Sequence, residues 1–155
     1  MKLYLVQHAK AEVKDGETSR TLTEEGVAEL LKVASFLKIH AMVSIHTIYH
    51  SNKIRAIQTA EILFEHIKPK PLVKQASGLA PMDDVLIWAE QASHLSEDSM
   101  IVGHMPHISK LTHQLLANSK SGNFVSVRNA GVICLERDST DQWSLRWSII
   151  PEILK

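Results

Sequence analysis

Three residues stand where a sheet-based site would put reactive groups. His8 follows the apolar run at residues 3–6 by one position, and His104 follows the run at residues 100–102 through Gly103. Arg55 lies just beyond the apolar stretch 47–49, in the first turn of the helical pattern that comes next. Imidazole can act as a nucleophile or a proton carrier, and guanidinium can grip two oxygens of one anion through its planar fork. A helix N-terminus beginning near Asn52 would add backbone N–H donors. The set suits one small oxyanion, a phosphoryl group above all.

The other routes to phosphate chemistry lack their residues. There is no Gly-x-x-x-x-Gly-Lys-Ser/Thr loop and no Gly-x-Gly-x-x-Gly turn. Cys134 sits inside a strand pattern with Thr140 six residues on, so it has no arginine at the spacing a cysteine nucleophile uses, and it reads as a buried small hydrophobe. No paired acidic cluster suggests a two-metal centre. Histidine is then the nucleophile of choice, working through a phosphoenzyme. The metal alternative draws on His104, His107 and His113, or on His46 and His50. His107 and His113 fall on opposite faces of one helix and the second pair has no third ligand, so no metal and no other cofactor is expected. His40, His66 and His94 read as surface or loop-end residues.

The elements that must position these groups alternate. Residues 3–6 form a short apolar strand of the kind buried on both faces. Thr23 reads as an N-cap followed by Glu24 and Glu25, with Val27, Leu30, Leu31, Ala34 and Leu37 as one apolar helical face. A strand at 47–49 precedes a helix marked by Ile54, Ile57, Ala60, Leu63 and Ile67 and stopped by Pro69 and Pro71. A weak strand at 72–75 comes next, then a helix over 83–95 with Val85, Trp88, Ala89 and Ala92 inward. After the strand at 100–102, Pro106 opens a helix carrying Ile108, Leu111 and Leu115. Residues 132–136 and 143–149 flank a turn at 138–141 and read as an antiparallel hairpin. Polar connections at 15–19 and 118–123 are too short to be linkers. The expected fold is α/β: a three-layer sandwich around a mainly parallel central sheet, one domain spanning residues 1–155.

Composition sets the surroundings. The chain has 155 residues, with 17 basic against 17 acidic side chains. Zero formal charge argues against a nucleic-acid or acidic-membrane binder, which needs a basic surplus. One cysteine excludes a disulfide framework and suits a reducing cytoplasm. Neither a signal peptide nor a membrane-length apolar run is visible. Nine histidines against five arginines is the unusual entry in the count.

At this point the motifs resemble the histidine phosphatase superfamily, phosphoglycerate mutase-like, and within it the short SixA-type phosphohistidine phosphatases. The family's Arg-His-Gly/Ala is Gln7-His8-Ala9 here, and its Arg-x-Leu-Thr-x-x-Gly is Arg20-Thr21-Leu22-Thr23-Glu24-Glu25-Gly26. Its Ser-Pro-x-x-Arg-Ala-x-Gln-Thr-Ala resembles residues 51–60, with Asn52 for proline, and Gly-His-x-Pro is Gly103-His104-Met105-Pro106. The stretch 129–136 is similar to the family's entry to its penultimate strand. The resemblance implies that His8 accepts the phosphoryl group, that Arg55 and His104 hold its oxygens, and that Arg20 contributes from the loop side. No cap domain is implied, because the elements use nearly the whole chain.

Gln7 departs from the pattern. An amide offers the phosphate only a neutral hydrogen bond where the family has a guanidinium, a loss of about 1 kcal/mol or more and so roughly tenfold or larger in affinity. Lys10, three residues on, is the candidate to lend a charge. Larger family members carry an acid where this chain has Asp83 and Asp84, which also read as first-turn residues favoured by the helix dipole. A P–N bond to imidazole leaves more easily than an alkoxide, and an uncapped site is open. Both favour phosphohistidine on a protein partner; a small phosphate ester, or a weakly active module that binds phosphorylated partners, are the other readings.

Overall fold

The structure, a computed structural model, describes residues 1–13, 19–40, 43–119, 122 and 125–154. The elements run β1 (Lys2–Gln7), α1 (Glu24–His40), β2 (Thr47–His50), α2 (Ile54–His66), β3 (Leu72–Gln75), α3 (Val85–His94), β4 (Ser99–Gly103), α4 (His107–Ala117), β5 (Val132–Arg137) and β6 (Trp143–Ile149), with a 3₁₀ turn at Pro151–Ile153. Most of the polar connection expected at 15–19, and part of that at 118–123, lie outside the described residues.

The six strands form one sheet in the order β3-β2-β4-β1-β5-β6. β1, β2, β3 and β4 pair in parallel, and β5 runs antiparallel to both β1 and β6. Alternation along β1 divides the core between two layers. Tyr4 and Val6 join Leu30, Val33, Leu37, Ala60 and Leu63 of α1 and α2 on one face. Leu3 and Leu5 join Val85, Trp88, Ile108 and Leu111 of α3 and α4 on the other. The three-layer sandwich is therefore read directly from a strand whose two faces are both apolar.

The exposed edge strand β3 shows why its pattern is weak, since all four residues are open to solvent. Thr23 caps α1 as expected, its hydroxyl accepting the Gly26 N–H at 3.0 Å. Asp84, not Asp83, is the N-cap of α3 and accepts the Leu86 N–H at 3.1 Å. The hairpin turn closes on Asp138, whose Oδ1 accepts the N–H groups of Thr140 and Gln142. Arg137 reaches across to the carbonyls of Ala92 and Leu95, serving the C-terminus of α3. No described helix is long and apolar enough to cross a membrane.

The expected faces of α1 and α2 are largely the buried ones, with Leu30, Ala34, Leu37, Ala60, Leu63 and Ile67 in the core, and each helix has one exposed exception. α1 buries Gly26, Leu30, Val33, Ala34 and Leu37, while Leu31 is exposed. At its start α1 crosses the chain closely: a Cβ on Gly26 would stand 2.2 Å from the Lys10 carbonyl oxygen. α2 buries Arg55, Ala56, Thr59, Ala60 and Leu63, leaving Ile54 exposed. Here the apolar stripe yields to two polar residues that face the site.

The Gly26 crossing gives a stability prediction. Gly26→Ala must push α1 away from the residues after β1, and the cost is about 1–3 kcal/mol for overpacking against backbone. A lowered urea midpoint with an unchanged m-value is the expected result.

Candidate active site

Where adjacent parallel strands send their connections to opposite faces, a crevice opens beyond their carboxyl ends. β1 and β4 are such a pair, since β1 leads to α1 on one face and β4 to α4 on the other. His8 leaves β1 and His104 leaves β4 at that crevice. Their rings lie 5.1 Å apart, centroid to centroid. Arg55, on the first turn of α2, sends its Nε–H to His8 Nε2 at 3.1 Å. Three residues far apart in sequence thus come together.

Their surroundings fix their chemistry. His8 Nδ1 lies 2.7 Å from the carbonyl oxygen of Ala9, which places the ring proton on Nδ1 and the lone pair on Nε2. Burial, aided by the nearby charges of Arg55 and Arg20, pushes the His8 pKa down to about 4; the Ala9 carbonyl opposes this. His104 is pushed down to about 3, chiefly by burial and then by His8, Arg55 and Lys53. Both rings are neutral at pH 7. His104 Nε2 pairs with the Ser51 hydroxyl at 2.5 Å, and its buried Nδ1 has no hydrogen-bond partner among the described residues.

The backbone around His8 is held from three sides. The Ala9 N–H donates to Thr59 Oγ1 at 3.1 Å, and that hydroxyl donates to the Arg55 carbonyl at 2.7 Å. Asn129 Nδ2 and the Ala130 N–H both donate to the His8 carbonyl. Ala130 reaches it in the left-handed region, φ 57°, which few residues with a side chain adopt. Gln58 Oε1 accepts the Leu22 N–H at 2.9 Å and ties the Arg20 segment to α2.

The remaining expected residues divide. Arg20 stands close enough to act on His8 electrostatically, and its Nε–H donates to the Glu12 carbonyl at 2.6 Å. Gln7 ends β1 opposite Gly103, half-buried, its buried Oε1 without a hydrogen-bond partner among the described residues. Lys10 corrects an expectation: its ammonium pairs with Glu25 on α1, in solvent, and is not turned toward the site. Asn52 is corrected too, since Lys53 is the N-cap residue of α2 and Asn52 is exposed. Asp83 Oδ2 accepts the Ala80 N–H at 2.9 Å. His107 and His113 are both buried on α4, and among the described residues no three metal-ligating side chains gather. Cys134 is buried, and burial raises its thiol to about 11. Sequence reasoning gave no role to Ser51, Gln58, Thr59 or Asn129, although the first three stand inside the Ser51-to-Ala60 motif.

With this geometry established, the comparisons with known proteins fall into place. The sequence profile of the histidine phosphatase superfamily (branch 1) matches residues 3–83, more than half of the chain, and the chain belongs to that superfamily. Among solved structures it resembles the protein histidine phosphatase SixA complexed with tungstate: TM-score 0.90, 21% identity, 100% of each chain covered. A SixA-class protein from Agrobacterium tumefaciens gives 0.79 at 20% identity over 97% of each chain. The alpha-ribazole phosphatase of Shigella flexneri gives 0.75 at 15% identity, covering 94% of this chain and 95% of that one. At such identities the likeness is one of fold, the uncapped phosphoglycerate mutase-like sandwich. No curated protein matches the sequence.

The depressed histidines make stability depend on pH. The unfolded chain takes up protons near pH 6.5, whereas folded His8 and His104 resist until about pH 4 and 3, and burial lowers His107 as well. Their contribution is intact above pH 6.5 and is lost as pH falls through that window. The urea midpoint should drop between pH 7 and 4.5, with a shallower drop in His104→Asn; equal midpoints for the wild type at the two pH values would contradict the assignment.

Proposed function

We propose that the chain is a metal-independent phosphatase that works through a phosphohistidine on His8, and that its substrate is phosphohistidine on a protein partner. The observation that carries this reading is the orientation of His8. Its Nδ1–H is committed to Ala9, its Nε2 lone pair faces Arg55, and the ring is neutral at physiological pH. That is a nucleophile prepared for in-line attack beside groups that can hold an oxyanion. The shared fold with a SixA structure complexed with tungstate, an oxyanion like phosphate, supports an oxyanion-binding reading.

The steps follow from the hydrogen bonds. Phosphate oxygens take over the guanidinium N–H groups of Arg55, which frees the Nε2 lone pair. His104 Nε2 shares a hydrogen bond with the Ser51 hydroxyl; in the tautomer in which Ser51 donates, His104 carries its proton on Nδ1 and offers it to a phosphate oxygen. His8 Nε2 bonds to phosphorus as the P–N bond of the substrate breaks, and the partner's imidazole departs neutral when its other nitrogen is protonated. Water then attacks the phosphorus on His8 and inorganic phosphate leaves. Bond broken and bond formed in the first step are of one kind, so little acid catalysis is required. Asp84 fits this account, since its carboxylate is spent on capping α3. Lone, buried Cys134 is compatible with a reducing cytoplasm.

Gln7 tempers the activity without abolishing it, because Arg55 and Arg20 still compensate the phosphate charge. The test is hydrolysis of a phosphohistidine peptide, with acid quenching to trap phosphate on His8. Wild type should turn over and His8→Ala should not. Gln7→Arg should raise kcat/KM about tenfold, the difference between a neutral and a charge-assisted hydrogen bond. Absence of both turnover and trapped phosphate in the wild type would leave in its place the binding-module reading, which glutamine instead of arginine at position 7 suggests.

A further inference from the structure

A second concavity adjoins the crevice. It measures about 200 Å³ and lies between the end of β2, at Ser51 and Asn52, and the connection from Gln75 to Asp83 that follows β3. Both walls rise from the carboxyl ends of parallel strands, the same sheet edge that carries His8 and His104. Ser51 is common to the two spaces: it lines this pocket and bonds His104 Nε2. A group attached to a phosphoryl held by His104 therefore has this pocket within reach.

The pocket's walls are preorganised. Trp88 Nε1–H donates to the Ser77 carbonyl at 2.9 Å, and Gly78 turns at φ +79°, where a side chain would press on Ile87 and Trp88. Asp83 Oδ2 is oriented by the Ala80 N–H, and Oδ1 makes no hydrogen bond among the described residues. Charge separates the two spaces. Arg55, Arg20 and Lys53 act on the two histidines. None of the described residues lining the neighbouring pocket is basic, and Asp83 is its one charged side chain. The volume corresponds to about six or seven waters, room for one side chain.

We propose that this pocket is a specificity subsite in which Asp83 receives a lysine or arginine side chain flanking the phosphorylated histidine of the partner. The assignment rests on the phosphohistidine reading above, and it adds that acidic flanks and leaving groups bearing a second anion are disfavoured. A lone phosphate is drawn to the crevice by its guanidinium groups, while discrimination between partners comes from the carboxylate next door.

Binding and turnover test the two ideas separately. Two peptides carrying a non-hydrolysable phosphohistidine analogue, one flanked by lysine and one by glutamate, are titrated against wild type, Asp83→Asn and Asp83→Lys by fluorescence anisotropy. Wild type should prefer the lysine peptide about threefold to fivefold, the size of a solvent-exposed ion pair. Asp83→Asn should lose the preference, Asp83→Lys should reverse it, and added salt should shrink it. An equal preference in all three proteins, no preference in the wild type, or no binding of either peptide overturns the subsite. Turnover of the matching hydrolysable peptides by the wild type is read independently: hydrolysis without a flank preference removes the subsite alone, and a flank preference in binding without hydrolysis removes the phosphatase reading alone.

Discussion

Much of the site depends on one residue, Ala9. Its carbonyl accepts the proton of His8 Nδ1 and so decides which ring nitrogen is left bare. Its N–H is bound by Thr59, which is itself bound to the carbonyl of Arg55. The nucleophile's tautomer and the guanidinium's position are therefore fixed through the same short chain of bonds. Moving α2 would disturb both at once. Buried polar groups of this kind are costly unless every partner is in place, and here the partners come from three separate segments of the chain.

The sandwich around this residue is what makes such convergence possible. A doubly apolar β1 must be covered on both sides, so the connections after β1 and β4 diverge to opposite layers and leave the crevice between them. The crossing of Gly26 over the Lys10 carbonyl then brings the Arg20 segment against the loop after His8. Fold and site are thereby linked at a glycine: the residue that allows the close crossing of α1 also allows a second guanidinium near His8.

How legible was this in the sequence? The alternation of short apolar runs with helical stripes foretold every strand and helix in order, because burial on both faces of the central strands leaves a strong signal. His8, Arg55 and His104 were legible because strand ends are where such a fold puts reactive groups. The supporting residues were not. Ser51 meets His104 across 53 positions, Thr59 meets Ala9 across 50, and Asn129 meets His8 across 121. Nothing local distinguishes a hydroxyl or amide that serves a distant backbone from one that serves solvent. The exposure of Leu31 and Ile54 was not legible for a related reason. Periodicity marks an apolar stripe without saying which of its edge residues tertiary packing will cover.

The bond from Arg55 to His8 Nε2 has a further meaning for the resting protein. A bare imidazole nitrogen in a crevice would be open to any electrophile, and to metal ions as well. Here the lone pair accepts the Nε–H of the Arg55 guanidinium and is covered by it. On the proposed reading, the ligand that is to be attacked also unmasks the attacker. Reactivity is then conditional on charge, and the ring stays chemically silent between encounters.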